Sequence, residues 1–288
     1  MFSELIAGGI DLHTHSYPSI YARSLDDFEL AREVKDAGMR GVVLKAHECS
    51  TVGRAFLVEK NIPEIKVFGG VVLNWFVGGL NLQAVEACLR MGGKIVWFPT
   101  LHAQNHIEYF RQNENQVIEL NEPGLPLEGI SVLDPKGCIL PEIEGILKAI
   151  KKFNAILATG HLSREEIFAL VDAALVIGVE KVLITHADLP LHRLTIADQE
   201  KLASRGCFLE KCCYTIFEPF SVPVGELAKS IRTIGSQQCV LVSDLGVKNK
   251  PRPVEGMQNF IKDLLEEGIK LEEIRTMLVE NPAKLLWS

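Results

Sequence analysis

Eight short apolar runs recur along the chain, and most are followed by a stretch whose apolar residues keep helical spacing. The runs are Leu5 to Ile10, Gly41 to His47, Lys66 to Leu73, Lys94 to Phe98, Ala155 to Thr159, Lys181 to Thr185, Cys207 to Glu210 and Cys239 to Ser243. Rich in Val, Ile and Leu, they read as strands buried on both faces, which is the pattern of a parallel sheet covered by helices. Between the first two, apolar residues at Leu25, Phe28, Ala31 and Val34 predict a helix over Leu25 to Ala37, closed by Gly38. Ser163 and Glu166 have the spacing of a capping box entering the helix Ile167 to Ile177. About eight strand–helix units in one chain predict an α/β fold, the (β/α)8 TIM barrel. A doubly wound open sheet is the alternative, disfavoured because no G-x-G-x-x-G follows the first strand. The rhythm pauses once. Leu101 to Gly137 is polar, contains three prolines and predicts an insertion after strand four, with one helix within Asn105 to Glu119. The whole, residues 1–288, reads as one domain.

In such a barrel the chemistry collects where strands end. Asp11-Leu12-His13-Thr14-His15 closes the first run, and alternation predicts that His13 and His15 share a face with Asp11 deeper on it. Two imidazoles are half of a divalent-metal site. The other strand ends offer Lys45 and His47, Asn74, Trp97, His161, His186, Glu210 and Asp244. Histidines and an aspartate recurring at separate strand ends point to a shared metal centre. His47, Asn74 and Glu210 are candidates to contact substrate or to orient the ligands. His102, His106 and His192 fall in loops and are expected to be exposed, although the first two could reach the site if the insertion folds over it. Cys212 and Cys213 are read as packing residues, with no histidine–cysteine pattern to make either a nucleophile.

These residues resemble the amidohydrolase superfamily, metal-dependent hydrolases built on TIM barrels. Its pattern is H-x-H at strand one, a carbamylated lysine or glutamate at strand four, histidines after strands five and six, and aspartate at strand eight. Here His13 and His15, His161 in Thr-Gly-His-Leu-Ser, His186 in Ile-Thr-His-Ala-Asp and Asp244 in Val-Ser-Asp-Leu-Gly take those places. The resemblance implies one or two divalent ions, with zinc the leading choice. It makes these residues ligands, and Asp244 also the base that handles the proton of the attacking water. Strand four departs from the pattern, because Lys94 lies at its beginning and nothing at its end can bridge. Lys45, at the end of strand two, is the nearest substitute. Buried and uncharged, its amine could carry a bridging carbamate; otherwise it meets the substrate as an ammonium. Asp-Leu-His-Thr-His-Ser also resembles the opening of the polymerase-and-histidinol-phosphatase (PHP) phosphoesterases, which would make His47 a ligand.

Composition narrows the partners. The chain is 47% hydrophobic and 23% charged with a net charge of -7, which suits a small-molecule enzyme and gives no basic footprint for nucleic acid. No apolar run approaches a membrane span. Seven scattered cysteines without a C-x-x-C pair suggest reduced thiols and a cytoplasmic setting. The expected activity is hydrolysis of an amide, lactone or ester of a small molecule, possible homo-oligomerisation aside. A catalytically silent barrel that binds a metal or metabolite is the rival of another class.

Overall fold

The computed structural model describes residues 3–112 and 128–287. Among them, eight strands form one parallel sheet in sequential order. They are β1 (Ile10–Thr14), β2 (Gly41–Leu44), β3 (Lys66–Val72), β4 (Ile95–Trp97), β5 (Ile156–Ala158), β6 (Val182–Ile184), β7 (Phe208–Cys212) and β8 (Cys239–Val242). Helices α1 (Ser3–Ile6), α2 (Asp27–Asp36), α3 (Val52–Asn61), α4 (Leu82–Arg90), α5 (Gln104–Gln112) and α6 (Pro141–Lys152) belong to the first half. The second half carries α7 (Arg164–Ile177), α8 (Ile196–Ser204), α9 (Val224–Ile234), α10 (Pro253–Glu266), α11 (Leu271–Arg275) and α12 (Asn281–Trp287). This is the TIM barrel, nearly closed. Ser163 and Glu166 form the expected capping box, and two more, Asp26 with Glu29 and Thr195 with Asp198, open α2 and α8. No helix of the described residues is long and apolar enough to cross a membrane.

Apolar packing divides into an interior and a belt. Ile10, Leu12, Val43, Ile95, Ile156 and Val240 fill the barrel, joined by Leu285 and Leu286 of α12. The outward faces of the strands pack against the surrounding helices. Of the expected insertion, α5 ends at Gln112, and residues 113–127 lie outside the described ones, as does the end of the helix expected to Glu119.

The first strand differs from the expectation. Leu5 and Ile6 belong to α1, and the chain turns at Gly8 (φ +75°) before β1 begins at Ile10. The histidines therefore lie on and just beyond the strand rather than after it. Its alternation is also broken. Ile10 stands opposite Gly41 and Asp11 opposite Val42, yet Thr14 stands opposite Leu44, so β1 carries one extra residue, a bulge. Ile10 and Leu12 point inward before the bulge, and His13 points inward after it, against Trp97. Asp11 is left on the outer side, beside Val34, Met39 and Met257, and does not share the histidine face.

Asp11 has a structural task there. β1 and β8 meet through few bonds, from Asp244 N to His13 O and from His15 N to Leu245 O, both 2.8 Å. The Asp11 Oδ1 adds to them, accepting from the backbone N–H groups of His13 and Ser243, each at 3.1 Å. Burial nevertheless outweighs these bonds and pushes its pKa up to about 6. The folded chain thus keeps this proton up to about pH 6, while an unfolded aspartate releases it near 3.8. Between those values the unfolded state binds fewer protons, so stability falls as pH rises. Asp11→Asn keeps an acceptor oxygen and removes the charge. Urea titrations from pH 4 to pH 7 should find that the variant lacks this decline, gaining on the order of 2 kcal/mol over the parent at pH 7.

Candidate metal centre

Every histidine in the chain is buried near the carboxyl ends of the strands. His13 lies at the centre. Its Nδ1 is 3.2 Å from Glu210 Oε2, and its Nε2 is 3.0 Å from Asp244 Oδ1 and 2.8 Å from Lys45 Nζ. Asp244 Oδ1 also meets His15 Nε2 at 2.9 Å, and its Oδ2 lies 3.4 Å from His186 Nε2. His13 and His186 stack with ring centres 4.8 Å apart. Glu210 is fully buried beneath the histidines, where Oε2 also accepts from the backbone N–H of His186 at 3.1 Å. It pairs with histidines, not with a lysine.

Burial is the main force on these imidazoles. It lowers His15 to about 3, helped by Arg23, and holds His47 and His186 well below the usual range. Lys45 is lowered too, by burial acting against the attraction of Asp244 and Glu210. His13 alone goes the other way: burial and Lys45 press it down, but Asp244 and Glu210 outweigh them. Asp244, which burial alone would raise, is held well below the ordinary carboxylate range by His13 and His186. The carboxyl groups beside His13 thus shift it, alone among these imidazoles, toward its charged form.

Three overlapping sets have ligand atoms mutually within 4.8 Å: His13, His15 and Asp244; His13, His186 and Glu210; and His186, Cys212 and Asp244. His15 Nδ1, His186 Nδ1 and Glu210 Oε1 are buried without partners. Neutral imidazoles, carboxylates and partnerless polar atoms together suit a divalent cation. Cys212, read from the sequence as packing, enters one of these sets, although burial raises its thiol well above the usual range.

Other candidates fall into different places. His161 stands beside His186, with ring centres 5.5 Å apart, but its Nδ1 is 2.9 Å from Nδ1 of His106, so one of the two must carry the proton between them. His106 is on α5, which brings it over the barrel mouth. The expectation that His102, His106 and His192 are exposed is wrong: they are 3%, 2% and 0% exposed. Burial lowers His106 to about 3 and His192 to about 4. The signal was in α5 itself, where His106, Ile107 and Phe110 form a buried stripe. His47 stacks on His15 at 4.8 Å and bonds Thr100 Oγ1 through Nδ1. Asn74 is wholly engaged by protein: its Nδ2 donates to His47 O and Thr100 Oγ1, and its Oδ1 accepts from Thr100 N and His102 N. It ties the loops after β2, β3 and β4 and keeps nothing for a substrate.

The loops are held from behind. His186 (φ +48°) and Asp244 (φ +51°) adopt left-handed backbone, a conformation costing about 1–3 kcal/mol for a residue with a side chain. Gly246 follows with φ +109°, and a Cβ there would meet His15 O at 1.7 Å. Behind His186, the fully buried Lys211 donates to Asp188 at 2.8 Å, to Gln199 Oε1 at 2.8 Å and to Ser230 Oγ at 2.7 Å. Gln199 also donates to Ala187 O, so the segment after β6 is pegged at two successive residues.

A family model described as a family of unknown function matches residues 8–210. No curated protein matches. Among solved structures, an amidohydrolase from Pseudomonas aeruginosa is 11% identical with a TM-score of 0.66, covering 99% of this chain and 98% of its own. A probable dipeptidase from the same organism is 9% identical with a TM-score of 0.65, covering 99% and 96%. An amidohydrolase from Burkholderia multivorans, solved with zinc bound, is 10% identical with a TM-score of 0.61, covering 97% and 99%. The chain thus shares the barrel fold of these structures. The PHP resemblance gains no support from these comparisons.

Lys211→Met would leave the largely covered Asp188 without its cation. Guanidinium denaturation should register a loss of about 3–5 kcal/mol, and adding Asp188→Leu should restore much of it. Equal stability of parent and single variant would mean that the peg is idle.

Proposed function

The chain belongs to DUF6282, a family of unknown function, and we propose that this member is a metal-dependent hydrolase of the amidohydrolase type. Its substrate would be an amide, lactone or ester of a small molecule. The observation that carries the reading is the convergence of His13, His15, His186, Glu210 and Asp244, from four strand ends, on one buried spot. His161 would complete the set by releasing His106. Zinc is the leading ion, since histidine and carboxylate donors suit it, with one or two ions per site.

Such an ion, when bound, polarises a scissile carbonyl and brings the pKa of water toward neutrality. The protein's own share falls to three residues. Asp244 is the acidic residue among those lining the cavity; its side chain is 14% exposed and ionised, so it can take the proton of the attacking water. Because it is a weak base, it returns that proton readily to the leaving group. Glu210 accepts from His13 Nδ1, which fixes the ring and turns Nε2 toward the site. Lys45, whose charged form burial disfavours, either meets the substrate or, as the free amine, takes up carbon dioxide, its nitrogen bonding the carbon and releasing one proton to leave an anionic carbamate.

Asp244→Asn should lower turnover of an ester or lactone at least a hundredfold, comparable to loss of a general base, in protein that circular dichroism shows to be folded. Full activity in a folded variant would sink the mechanism. Metal analysis of protein purified without chelator reads the role of Lys45. About two ions per chain in the parent and one or none in Lys45→Ala would support the carbamate. One ion in both would assign Lys45 to the substrate. No ion in either, even after reconstitution, would leave a silent barrel.

A further inference from the structure

Arg23 lies on the segment between β1 and α2 and lines the same cavity as His15, Lys45 and Asp244. It is 6% exposed, yet among the described residues no carboxylate lies within ion-pairing distance of it. A neighbouring arginine provides the contrast. Arg54 gives Nε and Nη2 to the two oxygens of Asp27 at 2.8 and 2.6 Å, and spends the rest on the carbonyls of Pro18 and Ser16. Arg54 is a structural clamp with every edge occupied. Arg23 uses Nε alone, on Ser19 Oγ at 3.2 Å, while its head rests 5.6 Å from the Tyr21 ring centre. Its backbone is pinned by pairing with Val247 and by the bond from Ser24 N to Gly246 O, one turn from Asp244. The guanidinium is thus held in position with both Nη nitrogens unspent. A buried arginine without an acceptor is costly unless something supplies one.

Tyr214 lines the same cavity, and its hydroxyl bonds no described residue. Burial, with Asp244 nearby, pushes that phenol up to about 12, so it remains a donor at neutral pH. Apolar Leu101, Leu189 and Phe220 complete the walls. The cavity is about 170 Å³, below the roughly 300 Å³ at which ordinary small-molecule sites begin.

We propose that Arg23, with Tyr214, is the specificity site of this pocket and binds a carboxylate borne by a small substrate beside its scissile bond. For the word substrate the assignment rests on the hydrolase reading above; as a binding site it stands alone. Carboxylate is favoured over phosphate by charge and shape: the planar Arg23 guanidinium matches the two oxygens and single charge of a carboxylate, whereas a phosphomonoester carries close to two charges at neutral pH.

The test is calorimetry of the full chain, zinc-loaded and chelated, with succinamate and its uncharged analogue succinamide. The parent should bind succinamate at least tenfold more tightly than succinamide in both forms. Arg23→Gln should erase that preference, Arg23→Lys should keep part of it, and Tyr214→Phe should reduce it severalfold. Equal binding of the two probes by the parent, or a preference that survives Arg23→Gln, overturns the proposal. Tighter binding of ethyl phosphate than of succinamate overturns the carboxylate assignment. Turnover is not involved, so a protein that hydrolyses nothing but keeps the Arg23-dependent preference would refute the hydrolase reading and support this one.

Discussion

Closure of the barrel at β1 and β8 is the constraint on which the candidate site depends. The same few residues join the strands and supply the donors: Asp244 N bonds His13 O, and His15 N bonds Leu245 O. The seam cannot open without separating Asp244 from both histidines. The bulge in β1 is what allows this double use. It brings His13 and His15 inward while Asp11 stays outside, and there the Asp11 carboxylate receives Ser243 N in place of a backbone carbonyl. A regular strand in the same register would turn either the core residues Ile10 and Leu12 or the histidines out of the barrel.

Charge explains why so polar a cluster can sit at the top of an apolar core. Imidazoles can be buried neutral at moderate cost, whereas two carboxylates cannot be buried together without a cation. His13, between Glu210 and Asp244, is the imidazole that these groups shift toward its charged form. The site still holds the partnerless His15 Nδ1, His186 Nδ1 and Glu210 Oε1, and an ion that enters must displace any proton His13 carries. Metal affinity should accordingly rise with pH while the ligands are being deprotonated.

Much of this was legible in the sequence. Strand ends carry His13, His15, Lys45, His161, His186, Glu210 and Asp244, and the regular alternation of apolar runs with helices placed those ends on one face. Three kinds of feature were not. The bulge leaves no composition signal, because Asp-Leu-His-Thr-His reads as regular alternation, and only pairing with β2 exposes the extra residue. The buried state of His102, His106 and His192 depends on how the segment after β4 and the loop after β6 fold over the mouth, and polar loop composition hides that. Arg23 and Tyr214 lie outside every motif. They acquire meaning only because the fold leaves their donors facing a cavity.

His106 and His161 show how the same logic reaches above the seam. Their Nδ1 atoms, 2.9 Å apart, cannot both be bare, since two lone pairs would repel at that distance. One ring must hold the proton, so the tautomer of His161 is coupled to that of a residue on α5. His192 adds a bond from its own ring to Leu162 O at 2.7 Å, fixing the residue that follows His161. A ligand candidate on a barrel strand end is thus set by side chains from α5 and from the loop after β6. The rigid sheet positions the lower half of the site, built from His13, Glu210 and Asp244, and the loops decide which face of His161 the upper half presents.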